Sequence, residues 1–383
     1  MISINPSEMK ECLPYDNIEF GKAMQRLLTH PLLPEMVKKL LPDLPVQEFL
    51  KLGQKVETVE NFQSAIISRV IHSLLKLTCR GLSTSGFESL SKDQRYLLLS
   101  NHRDIICDPS LLTNCLHLEG HRTPKICLGD NLLVNSLVKD LVKMNKGLIV
   151  KRNLPVRELL KCSIGLSEIL HQQIEEKIDS VWLAQREGRA KDGNDETHPG
   201  ILKMLALAGQ GNLIDRLFSL HIVPVAISYE FDPCDLLKAH ELFFTKQNKT
   251  YQKEKDEDLI SMTTGILGFK GRIHVSIGEE ITETLEQARK LDSKKNQLEF
   301  IAKTISRKIH LNYKNWPSNY IAFDLLEGKD RMKSFYSATE KDEFLTRMKK
   351  KMTDLRIKQS EFDAIQIYFL KIYANPVANA IQA

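Results

Sequence analysis

Short apolar runs spaced by amphipathic stretches constrain this chain most. They lie at 96–100 (YLLLS), 126–128, 148–150, Val181–Ala184 and 222–227. Each is too short for a helix and too evenly apolar for a strand with one wet face, so each reads as a strand buried on both sides. Between them lies the stretch 156–174, where Leu159, Leu160, Ser163, Ile164, Leu170 and Ile174 share one helical face. Strands alternating with helices predict an α/β fold, a mostly parallel sheet flanked by helices. Gly271–Ile277 (GRIHVSI) reads as one more strand.

The flanks differ. Pro6, Pro14, Pro31, Pro34, Pro42 and Pro45 cut the N-terminal region into short helical pieces such as 35–41. A longer helix is expected over 59–77. There Phe62, Ile66, Val70 and Leu74, with Ile67, Ile71 and Leu75 beside them, form a wide apolar stripe. Such a stripe packs on a neighbouring domain or meets lipid or an acyl chain. From about residue 321 the chain reads as helical again. The cluster 347–351 (RMKKK) is expected to be a solvated face, and a last helix, 362–373, to be closed by Asn375-Pro376. Three regions follow: a helical 1–77, an α/β domain over 78–320, and a helical 321–383.

Charge and cysteine usage narrow the function. A net charge of +5, from 54 basic and 49 acidic residues, is too small for a dedicated nucleic-acid binder. It is compatible with leaning on an anionic membrane. No run approaches the roughly 18 apolar residues a spanning helix needs, and the N-terminus has no secretory core, so a cytoplasmic protein is expected. The 7 cysteines are odd in number and none has C-x-x-C spacing, which points to free thiols.

Three chemical signals fail on inspection. His117 and His121 are spaced i and i+4, but a metalloprotease needs glutamate directly after the first histidine, and here it is Glu119. No G-x-S-x-G elbow is present. The glycines of 265–271 (GILGFKG) lack the GK[ST] ending of a phosphate loop and read as a turn.

Four sites remain, each at or in a predicted strand. Strand ends of an α/β sheet are where ligands bind. In 100–109 (SNHRDIICDP), His102 and Asp108 can form a base and its orienting carboxylate. Asp108 can equally cap a helix starting at Pro109, and the two roles are compatible. In 146–153 (KGLIVKRN), Lys151 and Arg152 end a buried strand and can clamp a phosphate or carboxylate. In 185–191 (QREGRAK), Gly188 permits a tight turn, Glu187 can accept from a substrate donor, and Arg189 offers a second anion contact. In 223–229 (VPVAISY), Pro224 sits in an apolar strand whose natural role is to shape a pocket.

The order NH-x(5)-D, GLIVKR, REGR, VPVAISYE resembles the four blocks of the glycerolipid acyltransferase superfamily, over about 78–281. That resemblance implies His102 as the general base on the acceptor, with Asp108 orienting it and no covalent acyl-enzyme. It implies Arg152 on the acceptor phosphate, Glu187, Gly188 and Arg189 as the other wall of the acceptor site, and Pro224 lining the acyl or thioester pocket. No cofactor is implied, only acyl-CoA or acyl carrier protein as co-substrate. The acceptor would be 1-acylglycerol-3-phosphate or glycerol-3-phosphate.

Two departures matter. Five residues rather than four separate His102 from Asp108, which brings Asp104 forward as the alternative orienter. Asp108 is the expected one, because it precedes a proline-started helix as the family's turn does. Arg186 stands where the family usually has proline, and with Lys151 adds cations beside the acceptor site. The family's N-terminal membrane span is missing from the pattern, so peripheral attachment to the cytoplasmic membrane face through 59–77 and basic patches is expected. Acylation of another lipid hydroxyl or amine, such as an aminolipid precursor, stands as the alternative activity. Thioester hydrolysis, or a non-catalytic lipid- or carrier-binding role on the same scaffold, are the others.

Overall fold

A computed structural model describes residues 10–248, 256–354 and 359–383; Pro6 and the rest of 1–9 lie outside the described residues. Its centre is a seven-stranded sheet. The strands are β1 (Cys79–Ser85), β2 (Leu97–Ser100), β3 (Lys125–Gly129), β4 (Gly147–Val150), β5 (Val181–Ala184), β6 (Ile222–Tyr229) and β7 (Gly271–Ile277). Their spatial order is β1-β7-β6-β2-β5-β3-β4. β2 to β6 are mutually parallel, and β7 joins β6 antiparallel. The sheet is therefore mostly parallel and flanked by helices, as the alternating pattern predicts.

The short apolar runs are buried on both faces, and their residues divide by parity. Leu97 and Leu99 join one core with Leu183 and Ile222, under the helices Val156–Glu175 and Lys294–Asn312. Leu98 joins the opposite core with Trp182, Val223 and Val225, under the helix Cys107–Leu118. Burying each such aliphatic side chain stabilises the fold by about 1.5–3 kcal/mol. β1 escapes the sequence pattern because it is an edge strand, CRGLSTS, that keeps Arg80, Thr84 and Ser85 exposed.

Parallel strands bring their carboxyl ends to one edge. The segments after β2, β4 and β5 and the end of β6 therefore meet there, although they are up to 127 residues apart (102 to 229).

The N-terminal region is helical: Asn17–Leu28, Leu33–Leu40, Val46–Gly53, and a longer helix over 59–78. Its second segment, Gln63–Ile67, is π-helical, a local bulge of the kind often found at functional sites. The C-terminal helices Pro317–Glu327, Ala338–Asp354 and Gln359–Gln382 pack with Asp235–Asn248 around Phe344, Phe369 and Tyr373.

Two expectations about the C-terminal region are corrected. The last helix does not close at Asn375-Pro376 but runs through Pro376. Proline has no N–H for the carbonyl four residues back, that of Ile372. The Arg103 guanidinium bonds that carbonyl instead, at 3.3 Å, so the tertiary contact covers what would end an isolated helix. The cluster at 347–351 is not uniformly solvated. Arg347 lies over the Phe231 ring at 4.8 Å and Lys351 pairs with Asp235, while Lys349 and Lys350 are exposed.

Candidate active site

His102 lies in the turn after β2, beneath which Trp182 presents its ring edge-on at 5.4 Å between centroids. The turn is pinned by Asn101, whose side-chain amide donates to the Ile227 carbonyl at 3.0 Å and accepts its N–H at 2.8 Å. That amide thus acts as one more rung between β2 and β6. Arg103 holds the same turn from behind, bonded to Asp195 at 2.6 Å and to the carbonyls of Gly193 and Ile372.

The carboxylate beside His102 is Asp108, with 2.9 Å between Nδ1 and Oδ2. Asp108 is fully buried, and the imidazole is 11% exposed. The same Oδ2 accepts the backbone N–H groups of Arg103 at 2.5 Å and Asp104 at 2.9 Å. Oδ1 accepts the Tyr229 hydroxyl at 2.6 Å. Four donors thus converge on one buried carboxylate. Burial and the adjacent Asp108 push the Tyr229 hydroxyl well above its usual range, so it stays a donor.

Asp104 does other work. Its Oδ1 accepts the N–H of Ile106 at 3.0 Å and of Cys107 at 2.7 Å, the start of the helix Cys107–Leu118. Asp108 thus does not cap a helix beginning at Pro109, since the helix begins two residues earlier. The extra residue in the turn is taken up before the first helical turn, which leaves Asp108 facing back to His102. Burial, reinforced by Asp108, raises the Asp104 carboxyl above its ordinary range.

His102 opens on a cavity of about 630 Å³. Its walls are mostly apolar. They come from the stripe of 59–78 (Ile66, Val70 and Leu74 among them), from N-terminal helices, and from Leu111 and Met262. The stripe therefore faces a cavity as well as a neighbouring core. Nδ1 is engaged with Asp108, so Nε2 is the ring atom left for a substrate.

The other expected site residues divide. Arg152, Gly188 and Arg189 line the same cavity. Arg189 Nη1 is buried without a protein partner, which costs about 1–3 kcal/mol unless a ligand or water satisfies it. Gly129 makes room for Arg152, because a Cβ there would stand 2.5 Å from its Nε. Glu187 is exposed and 3.9 Å from Arg152. Lys151 turns away from the lining, toward Glu11 at 3.9 Å. Arg186 is half-buried and is no part of the wall. Pro224 is a correction: it is buried in β6 opposite Leu99 and does not line the pocket. It stands five places before the carboxyl end of β6.

Sequence reasoning missed Tyr229, Trp182, Asn101 and Arg103. Tyr229 closes the fourth block, and a polar aromatic at the end of a buried strand was the available signal. His117 and His121 gather no further ligands, and no group of three or more potential metal ligands exists among the described residues.

At the carboxyl-end edge of the sheet a histidine–carboxylate pair thus opens on a largely apolar cavity. The acyltransferase family model matches residues 82–228, from within β1 to within β6. No curated protein matches it in sequence. Among solved structures it is similar to the 1-acyl-sn-glycerophosphate (LPA) acyltransferase of Thermotoga maritima. That likeness has 11% identity, covers 76% of this chain and 94% of the other, and has a TM-score of 0.38. A superposition that loose carries no argument about substrate.

Proposed function

We propose that the protein moves a fatty acyl group from a thioester, acyl-CoA or acyl carrier protein, to the hydroxyl of 1-acylglycerol-3-phosphate or glycerol-3-phosphate. The observation that carries this reading is the His102–Asp108 pair at one end of a large apolar cavity, with Arg152 and Arg189 in the wall beside it. The cavity suits an acyl chain, and the two guanidinium groups suit a phosphate.

In this mechanism His102 Nε2 takes the proton of the acceptor hydroxyl as its oxygen attacks the thioester carbonyl carbon. Asp108 holds the ring and offsets the positive charge that develops on it. The tetrahedral oxyanion collapses, the C–S bond breaks, and the imidazolium returns the proton to the departing thiolate. The products are an ester and a free thiol, with no covalent acyl-enzyme and no cofactor. Among the described residues no helix is long and apolar enough to cross a membrane; peripheral contact with the cytoplasmic membrane face belongs to the same proposal.

The test is an acceptor screen with purified protein and labelled acyl-CoA or acyl carrier protein, read by lipid mass spectrometry. The expected product is phosphatidate or its monoacyl precursor. Acylation of an aminolipid precursor alone, or release of free fatty acid alone, would overturn the acceptor assignment.

A further inference from the structure

The helix Val156–Glu175 begins unlike the others around the sheet. Residues 155–160 are all exposed, and burial starts only at Gly165. Yet this first turn is apolar on one side: Val156 is 85% exposed, Leu159 41% and Leu160 46%. Positions i, i+3 and i+4 form one helix face, so the face shared by Leu159, Leu160, Leu170 and Ile174 starts in solvent. Val134, 43% exposed, follows Asn131 and Leu132, which line the cavity, and Arg152 in the wall precedes Val156 by one turn of chain. Leu259 both lines the cavity and is 40% exposed. The exposed turn therefore begins four residues after Arg152 of the cavity wall.

Its charges are mainly positive. Arg157 and Lys161 flank the stripe on its own helix against Glu158, while Lys151 and Arg152 just before it face Glu11 and Glu187. A polar face rich in cations beside protruding aliphatics is the chemistry of a lipid interface.

We propose that Val156, Leu159 and Leu160, with Arg157 and Lys161, form a docking face for an anionic membrane surface, which sets the cavity mouth against the bilayer. The proposal rests on the acyltransferase reading only for why a mouth should face lipid. A lipid-borne acceptor then reaches His102 without crossing water.

The experiment is flotation of the full chain with vesicles of phosphatidylcholine, with and without phosphatidylglycerol. The wild type is expected to bind the anionic vesicles. Leu159→Asp/Leu160→Asp should weaken that binding about tenfold or more, and Arg157→Glu should remove most of the dependence on phosphatidylglycerol. The thermal midpoint and the transfer rate on a monomeric short-chain acceptor should not change in either variant. Undiminished vesicle binding in the double variant overturns the proposal. So does a dimer in solution, or a complex with acyl carrier protein, that the double variant abolishes while vesicle binding stays. Transfer in solution without any vesicle binding defeats the docking face and spares the acyltransferase reading; vesicle binding without transfer to any acceptor does the reverse.

Discussion

Asp104 and Asp108 are both buried, both near His102 and four residues apart, so they make a clean pair of perturbations. In Asp108→Asn the new carbonyl oxygen can keep the three donors now on Oδ2, namely His102 Nδ1–H and the N–H groups of Arg103 and Asp104. The amide NH₂ then faces the Tyr229 hydroxyl, which must turn its proton elsewhere. Shape and most hydrogen bonds survive, and the negative charge does not. An imidazolium about 4 Å from a carboxylate gains about 4 kcal/mol at an effective dielectric near 20. Losing that in the transition state slows the reaction about a thousandfold. Asp104→Asn keeps an oxygen for the N–H groups of Ile106 and Cys107, and asparagine caps helices as well as aspartate does. It should cost no more than a few-fold. The assay is initial acyl-transfer rate with saturating donor and acceptor, with His102→Ala as the benchmark and thermal unfolding to show that each variant folds. Equal losses in the two Asn variants, or a greater loss in Asp104→Asn, would refute the assignment of Asp108.

Four further outcomes are expected. Tyr229→Phe removes a hydrogen bond to a charged group, worth about 1.5–3 kcal/mol, so kcat should fall roughly tenfold to a hundredfold while both KM values hold; a KM effect alone would mean that Tyr229 touches substrate instead. Arg152→Ala should raise the acceptor KM far more than the donor KM in steady-state kinetics, and equal rises would count against a phosphate role. Val70→Trp narrows the cavity where the 59–78 stripe lines it, and competition between donors of different length should shift toward shorter chains. Burial favours protonation of Asp232, but Lys238 and Arg103 outweigh it and hold its carboxyl below the usual range. Its contribution to stability is therefore present above the ordinary aspartate range and lost as pH falls below it. Asp232→Asn should flatten the acid limb of denaturant stability measured against pH, and an unchanged limb would refute that contribution.

The fold class was legible because buried parallel strands have to be short, apolar and interrupted by helices, and those are local properties. β1 was not legible, because an edge strand such as CRGLSTS carries no apolar signature. The antiparallel join of β7 to β6 was equally hidden, since strand direction leaves no mark on composition. The exposed start of Val156–Glu175 shows the limit of periodicity. An amphipathic face says that something apolar covers it, not whether that is the protein's own core.

At the candidate site the sequence by itself determined which side chains were available: a histidine, two aspartates near it, and arginines after two later strands. Side-chain chemistry belongs to residue type, so it can be read without coordinates. Only the tertiary structure decided who meets whom. It turned Asp108 to His102 and Asp104 to the helix start, and brought Tyr229 from 121 positions away onto the same carboxylate. It sent Lys151 outward and sank Pro224 below the pocket, and it closed an apolar cavity with helices that lie before the matched domain. The physical reason is that parallel strands align their carboxyl ends at one edge, whatever the length of chain between them. Proximity there follows from the register of the sheet, and no local pattern in the sequence records it.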